Sequence, residues 1–262
     1  MDIYGHRGAR GNLPENTIAS FIYAIEHGVK GIELDLVVTK EKQLLVSHEP
    51  YMACHLCLQP NGNPIVNQEQ YNIYEMLYED ILLFDCGSLK QDAFTNQKNA
   101  QHSKPLFKDI LKATMPLVKQ GFTYLIEIKS DRKWYGTFQP DISEYCDLII
   151  NEVQVLKSSP NVDLIIQSFD PAILNRLHKL DEELKLGFLI EEKLEIDKQL
   201  SRLNFIPYCF NPEYTLVDQN IVNIVHEKEM KIFCWTVNNL ASASTLTQYG
   251  VDSIITDYPS IF

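Results

Sequence analysis

Short apolar, β-branched runs alternate with longer amphipathic stretches through most of the chain. The runs read as strands at Ile3-Tyr4, Gly31 to Val38, Leu44 to Ser47, Phe122 to Ile128, Val162 to Gln167, Leu186 to Ile190, Ile206 to Phe210, Lys231 to Thr236 and Ser253 to Thr256. Between them, Ile18, Phe21, Ile22 and Ile25 are spaced along one helical face, and Gly28 supplies a stop. Asp170-Pro171 places a capping side chain before a first-turn proline, ahead of Ile173, Leu174 and Leu177. Leu240, Ala243 and Leu246 follow an Asn238-Asn239 cap and stop at Gly250. Strands separated by helices imply a parallel sheet.

Two places break the rhythm. Nine runs compete for the eight strand places of an α/β barrel, so one strand is expected to be peripheral. Asp35 to Leu44 is too short for a crossover helix, which takes about a dozen residues, so a hairpin is expected there. From Glu49 to about Pro105 the chain turns polar and rich in Asn, Gln and Tyr. That stretch reads as an insertion at about 49–105, after the third strand, within one domain spanning 1–262 and without a core of its own.

At 262 residues, 22% charged and 45% apolar, the chain suits one large globular domain. Its 23 basic and 35 acidic side chains leave a formal net charge of −12. That balance argues against nucleic acid, and an anionic substrate would need local cations. No stretch nears the ~20 apolar residues of a membrane span, and no leader peptide opens the chain. Cys54-His55-Leu56-Cys57 lacks the second ligand pair of a zinc site, so the six cysteines read as free thiols in a reducing compartment. A cytoplasmic location is favoured for the chain as given, or a periplasmic or secreted one if a leader has been removed. Oligomeric state is not legible.

Charges inside the apolar runs carry the chemistry. Glu33 and Asp35 are two apart on one strand and share a face, as do Glu127 and Lys129 on another. Strands of a parallel sheet are ordinarily buried on both sides, and a lone carboxylate there is strongly disfavoured. These four residues, with His6 and His48, lie at or just beyond the C-terminal ends of proposed strands, the barrel face where catalytic groups converge. Three carboxylates without paired His or Cys ligands favour a hard cation, Ca²⁺ or Mg²⁺. A nucleophile elbow and a phosphate-binding glycine loop are both missing from the sequence. A same-strand carboxylate pair is also too close to act from opposite faces of a sugar.

At these residues the sequence resembles the glycerophosphodiester phosphodiesterase family. The motifs are His6-Arg7-Gly8 with Pro14-Glu15-Asn16-Thr17, Glu33-Leu34-Asp35, Val46-Ser47-His48-Glu49, Glu127-Ile128-Lys129, Gln167-Ser168-Phe169, Trp235-Thr236-Val237-Asn238 and Gly250 to Asp257. They run in family order along nearly the whole chain. The resemblance implies a distorted (β/α)8 TIM-type barrel, a divalent cation on Glu33, Asp35 and Glu127, and hydrolysis of glycerophosphodiesters to glycerol 3-phosphate and an alcohol. His6 and His48 would divide the proton transfers, with Arg7, Lys129, Gln167 and Trp235 toward the substrate. Glu15 is expected to secure the first helix, Asp257 to make a turn that closes the barrel, and His55 to lie on a lid. The chain departs from the family where His48-Glu49 replaces His-Asp, and where Pro50 to Cys57 and Pro105 to Asp109 replace its usual segments. Those positions bear on the alcohol group more than on the reaction. A phospholipase D-like phosphodiesterase acting on lysophospholipid or sphingolipid is the alternative within the enzyme class. An inactive phosphate-ester binding protein is the alternative outside it.

Overall fold

The structure, a computed structural model, describes residues 1–192 and 195–262. Among the described residues there are nine strands: β1 (Asp2–Gly5), β2 (Gly31–Val38), β3 (Leu44–Val46), β4 (Phe122–Ile128), β5 (Val162–Ser168), β6 (Lys185–Ile190), β7 (Cys209–Pro212), β8 (Lys231–Cys234) and β9 (Ser253–Thr256). Eight of them are parallel and close into a barrel, because β1 pairs with both β9 and β2. The peripheral ninth is β3, a hairpin partner antiparallel to the end of β2, with Leu36 opposite Val46. β2 pairs with β1 at Gly31 and Ile32 and takes up β3 from Leu36 onward. That change of partner distorts the barrel at this corner and carries His48, just past β3, to the mouth.

The helices are α1 (Ile18–Glu26), α2 (Tyr78–Ile81), α3 (Phe107–Thr114), α4 (Ile142–Glu152), α5 (Gln154–Lys157), α6 (Pro171–Leu180), α7 (Ile196–Leu200), α8 (Gln219–Glu227) and α9 (Leu240–Tyr249). The expected caps are in place: Asp170 accepts from the Ala172 amide at α6, Asn239 from Ser242 at α9, and left-handed Gly250 ends α9. One strand differs from the sequence pattern. β7 lies at Cys209–Pro212 instead of Ile206 to Phe210, and Ile206 is exposed. Asn211-Pro212 looks like a turn, but a proline ending a strand gives up only one ladder bond.

Strand alternation sorts the side chains. Ile32, Leu34, Leu36, Tyr124, Ile126 and Ile128 pack outward into the main core with the helices. Tyr4, Leu125, Ile165, Phe233 and Ile255 fill the barrel interior. One layer nearer the mouth, the inward positions of β2, β4 and β5 are Glu33, Asp35, Glu127 and Gln167, all buried. Asp35 stands opposite Glu127, and Glu127 opposite Gln167, so register alone sets them in a row.

The polar stretch after β3 folds over the β2–β3 hairpin. Its apolar side chains, among them Met52, Leu56, Ile65, Ile73, Ile81 and Phe84, form a cluster that includes Val37 and Leu45 of the hairpin. Cys57 and Cys86 within it are joined by a disulfide, which corrects the expectation of six free thiols. The partners are 29 residues apart and become neighbours only once this segment folds, so spacing did not reveal them. With it falls the premise for a reducing compartment. Among the described residues no helix is long and apolar enough to cross a membrane.

Candidate active site

Eight of the nine residues singled out in the sequence line one cavity of about 440 Å³ at the C-terminal ends of the strands: His6, Arg7, Glu33, His48, Glu127, Lys129, Gln167 and Trp235. The ninth, Asp35, lies fully buried beneath them. His55 is exposed and does not line the cavity.

Glu33, Asp35 and Glu127 each direct a carboxylate oxygen to a common point, all within 4.8 Å of one another. Two cations already balance part of this charge. Arg7 lies between Asp35 (3.2 Å) and Glu15 (2.9 Å), and Lys129 contacts Glu127 at 2.5 Å. Three carboxylates against two cations leave one poorly served. Burial, with repulsion from Asp35 and Glu127, pushes Glu33 well above the usual carboxylate range. Burial also raises Glu127 against the pull of Lys129. Asp35 goes the other way: burial works to raise it, but Arg7, His48 and Lys129, with a 2.8 Å bond from Asn16, hold it low. Among the described residues, buried Glu33 Oε1 and Asp35 Oδ1 have no hydrogen-bond partner. Orphaned carboxyl oxygens around one point fit a hard divalent cation.

Each imidazole is tied to its own carboxylate. His6 Nδ1 bonds Asp257 Oδ1 at 2.7 Å, and His48 Nδ1 bonds Glu49 Oε1 at 2.9 Å. Asp257 also accepts from Arg10 Nε (2.8 Å) and Asn238 Nδ2 (2.7 Å); burial works to raise it, but the bond to His6 and the Arg10 charge hold it below the usual carboxylate range. Burial raises Glu49, but the His48 bond prevails and brings it down to about 2. An ionised acceptor at Nδ1 fixes a proton there, which leaves Nε2 of each ring as the nitrogen available to a substrate. Burial and the Arg10 charge lower His6 to about 4, keeping it neutral near pH 7. Beneath His48, buried Lys104 donates to Ser47 Oγ at 2.8 Å, and that hydroxyl bonds the Glu49 carbonyl.

Sequence reasoning missed Asp257, Glu49, Arg10 and Asn16 as partners of the site. Asp257 does more than make a turn, since it holds His6. The available signal was strand register: Gly5 stands opposite Thr256, so the next residues of β1 and β9 become neighbours. Glu15 is the counter-ion of Arg7. On the far side, Asn211 Nδ2 donates to Gln167 Oε1 at 2.7 Å, which turns the Gln167 amide nitrogen away from Asn211. Gly187 makes that pair possible, since a Cβ there would come within 2.8 Å of Asn211 Nδ2.

Residues 6–261 match the Glycerophosphoryl diester phosphodiesterase family. A glycerophosphodiester phosphodiesterase of Caldanaerobacter subterraneus is 29% identical over 257 residues, covering 98% of this chain and 94% of that protein. One from Bacillus subtilis is 28% identical over 265 residues, covering 98% and 83%. Among solved structures, an Oleispira antarctica phosphodiesterase in complex with the product sn-glycerol-3-phosphate superposes with a TM-score of 0.77 at 20% identity, covering all of this chain and 94% of that one. At that identity the superposition speaks for the fold.

Proposed function

The chain belongs to the glycerophosphoryl diester phosphodiesterase family, and on that premise we propose that it hydrolyses glycerophosphodiesters to glycerol 3-phosphate and an alcohol, by histidine acid–base catalysis beside a carboxylate-held divalent cation. One observation carries the reading: two carboxylate-bound imidazoles line one pocket with Glu33 and Glu127, and buried Asp35 converges on those two carboxylates. The product named for the Oleispira antarctica phosphodiesterase agrees with it.

In this reading Glu33, Asp35 and Glu127 hold the cation, Ca²⁺ or Mg²⁺. Such a cation, when bound, would supply charge neutralisation at a phosphate oxygen and a lowered pKa for a nearby hydroxyl. Arg7, clamped by Glu15 and Asp35, and Lys129 set further positive charge on the pocket wall for the phosphate. His6, neutral and with Nε2 free, accepts the proton of the attacking hydroxyl. His48, oriented by Glu49, donates a proton to the leaving oxygen. Gln167 offers an amide N–H to a substrate oxygen, and Trp235 an apolar wall. The test is release of glycerol 3-phosphate from a panel of glycerophosphodiesters, with and without chelator.

A further inference from the structure

The pocket has two unlike sides. Residues on or just past β1, β2, β3 and β4 supply the histidines, carboxylates and cations. The ends of β5, β6 and β8, with the loop after β4, supply Trp134, Phe169, Leu189 and Trp235, with Asp131 and Glu191 beside them. Among the described residues that line the pocket, none after Lys129 is basic. Apart from Lys129 at its border, 5.9 Å from the Phe169 ring centroid, a phosphate meets no cation among the described residues of that side, and an apolar tail would meet two carboxylates.

The apolar side is tied to the barrel by hydrogen bonds and ring packing. Trp235 Nε1 donates to the Asn211 carbonyl at 2.8 Å, and its ring meets Phe169 edge-on at 5.6 Å. Trp134 sits on a loop tied to the start of α6: Ser130 Oγ and Tyr135 OH both bond Asp170, and Gln139 Nε2 bonds Ser130. From the other direction, Asn72 of the segment after β3 donates to the Thr137 carbonyl at 2.7 Å. Asp131 makes a 3.5 Å pair with Lys133, but that lysine is exposed and outside the pocket. Aromatic faces beside carboxylates, held in place before any ligand arrives, are the elements that receive an organic cation.

We infer that this side of the mouth is a receptor for a cationic head group, a quaternary or primary ammonium on the alcohol of the diester, so that the enzyme selects cationic over neutral glycerophosphodiesters. The inference rests on the phosphodiesterase reading for the position of the phosphate. The receptor itself can be tested separately, because the chain has two tryptophans and both line this side.

Two measurements decide it. In the first, kcat/KM is compared for glycerophosphocholine and glycerophosphoglycerol. The wild type should favour the choline ester by about ten-fold or more, and Trp134→Leu and Glu191→Gln should each bring the ratio toward one. In the second, choline and its neutral isostere 3,3-dimethylbutan-1-ol are titrated at constant ionic strength against intrinsic tryptophan fluorescence. Choline alone should give a saturable change, weakened in Glu191→Gln. Equal kcat/KM for the two esters overturns the inference while leaving the phosphodiesterase reading intact. Saturable choline binding without hydrolysis of either ester sustains the receptor and removes that reading. A fluorescence response identical for choline and its isostere overturns the receptor whatever the activity.

Discussion

Asp257 Oδ1 lies 2.7 Å from His6 Nδ1 although 251 residues separate them, because β1 and β9 pair in register and end side by side at the barrel mouth. The carboxylate is itself gripped by Arg10 and Asn238, so it arrives ionised and oriented. A histidine held in this way presents Nε2 as a proton acceptor.

Asp257→Asn should therefore lower kcat by about 10²-fold with little change in KM. The amide keeps the shape but can turn a donor toward Nδ1 and favour the other tautomer. Steady-state kinetics on a variant with an unaltered circular dichroism spectrum make the check. A kcat within about two-fold of wild type would show that Asp257 serves only to close the barrel.

His6→Ala and His48→Ala should each reduce turnover by about 10² or more. The double variant should fall little below the worse single one, since the two act in one reaction. Near-normal turnover in either single variant removes that imidazole from the mechanism.

The carboxylate cluster predicts a stability effect that needs no substrate. In chelator, Glu33→Gln should melt at a temperature equal to or above the wild type, because it removes one of three mutually repelling buried acids. With cation added, the order should reverse. The wild type should gain about 2.7 kcal/mol at a hundred times the dissociation constant, and the variant much less. Calorimetric melting with and without Ca²⁺ or Mg²⁺ reads both effects, and a cation-independent melt in the wild type contradicts the assignment.

Alkylation of the denatured, unreduced protein should label four cysteines, Cys54, Cys146, Cys209 and Cys234, and all six only after reduction. Cys57→Ser with Cys86→Ser should destabilise the chain by about 3–4 kcal/mol, the loop-closure value for this separation. Labelling of all six without reductant would remove the bridge.

Most of the fold was legible because strand and helix periods differ, and nearly every run that alternated with an amphipathic stretch became a barrel strand. The exception, β3, was foreshadowed by a connection too short for a crossover. Glu33, Asp35, Glu127 and Lys129 stood out because charge inside a buried strand demands a partner. Asp257, Arg10 and Asn238 did not, since their meaning lies in which strand ends touch, and β1 meets β9 only when the barrel closes. Cys57 and Cys86 were silent for the same reason: their proximity belongs to the folded segment after β3 and to no spacing rule. Glu49 was visible only as a departure from a motif, yet it makes the carboxylate bond to His48.

The most direct test of cation-assisted phosphodiester hydrolysis is glycerol 3-phosphate release from glycerophosphoethanolamine, followed before chelation, in excess EDTA, and after Ca²⁺ or Mg²⁺ is restored. Release should stop in EDTA, return with cation, and be lost in His6→Ala throughout. Release that continues at full rate in EDTA would contradict the role of Glu33, Asp35 and Glu127, and no release under any of these conditions would contradict the reaction itself.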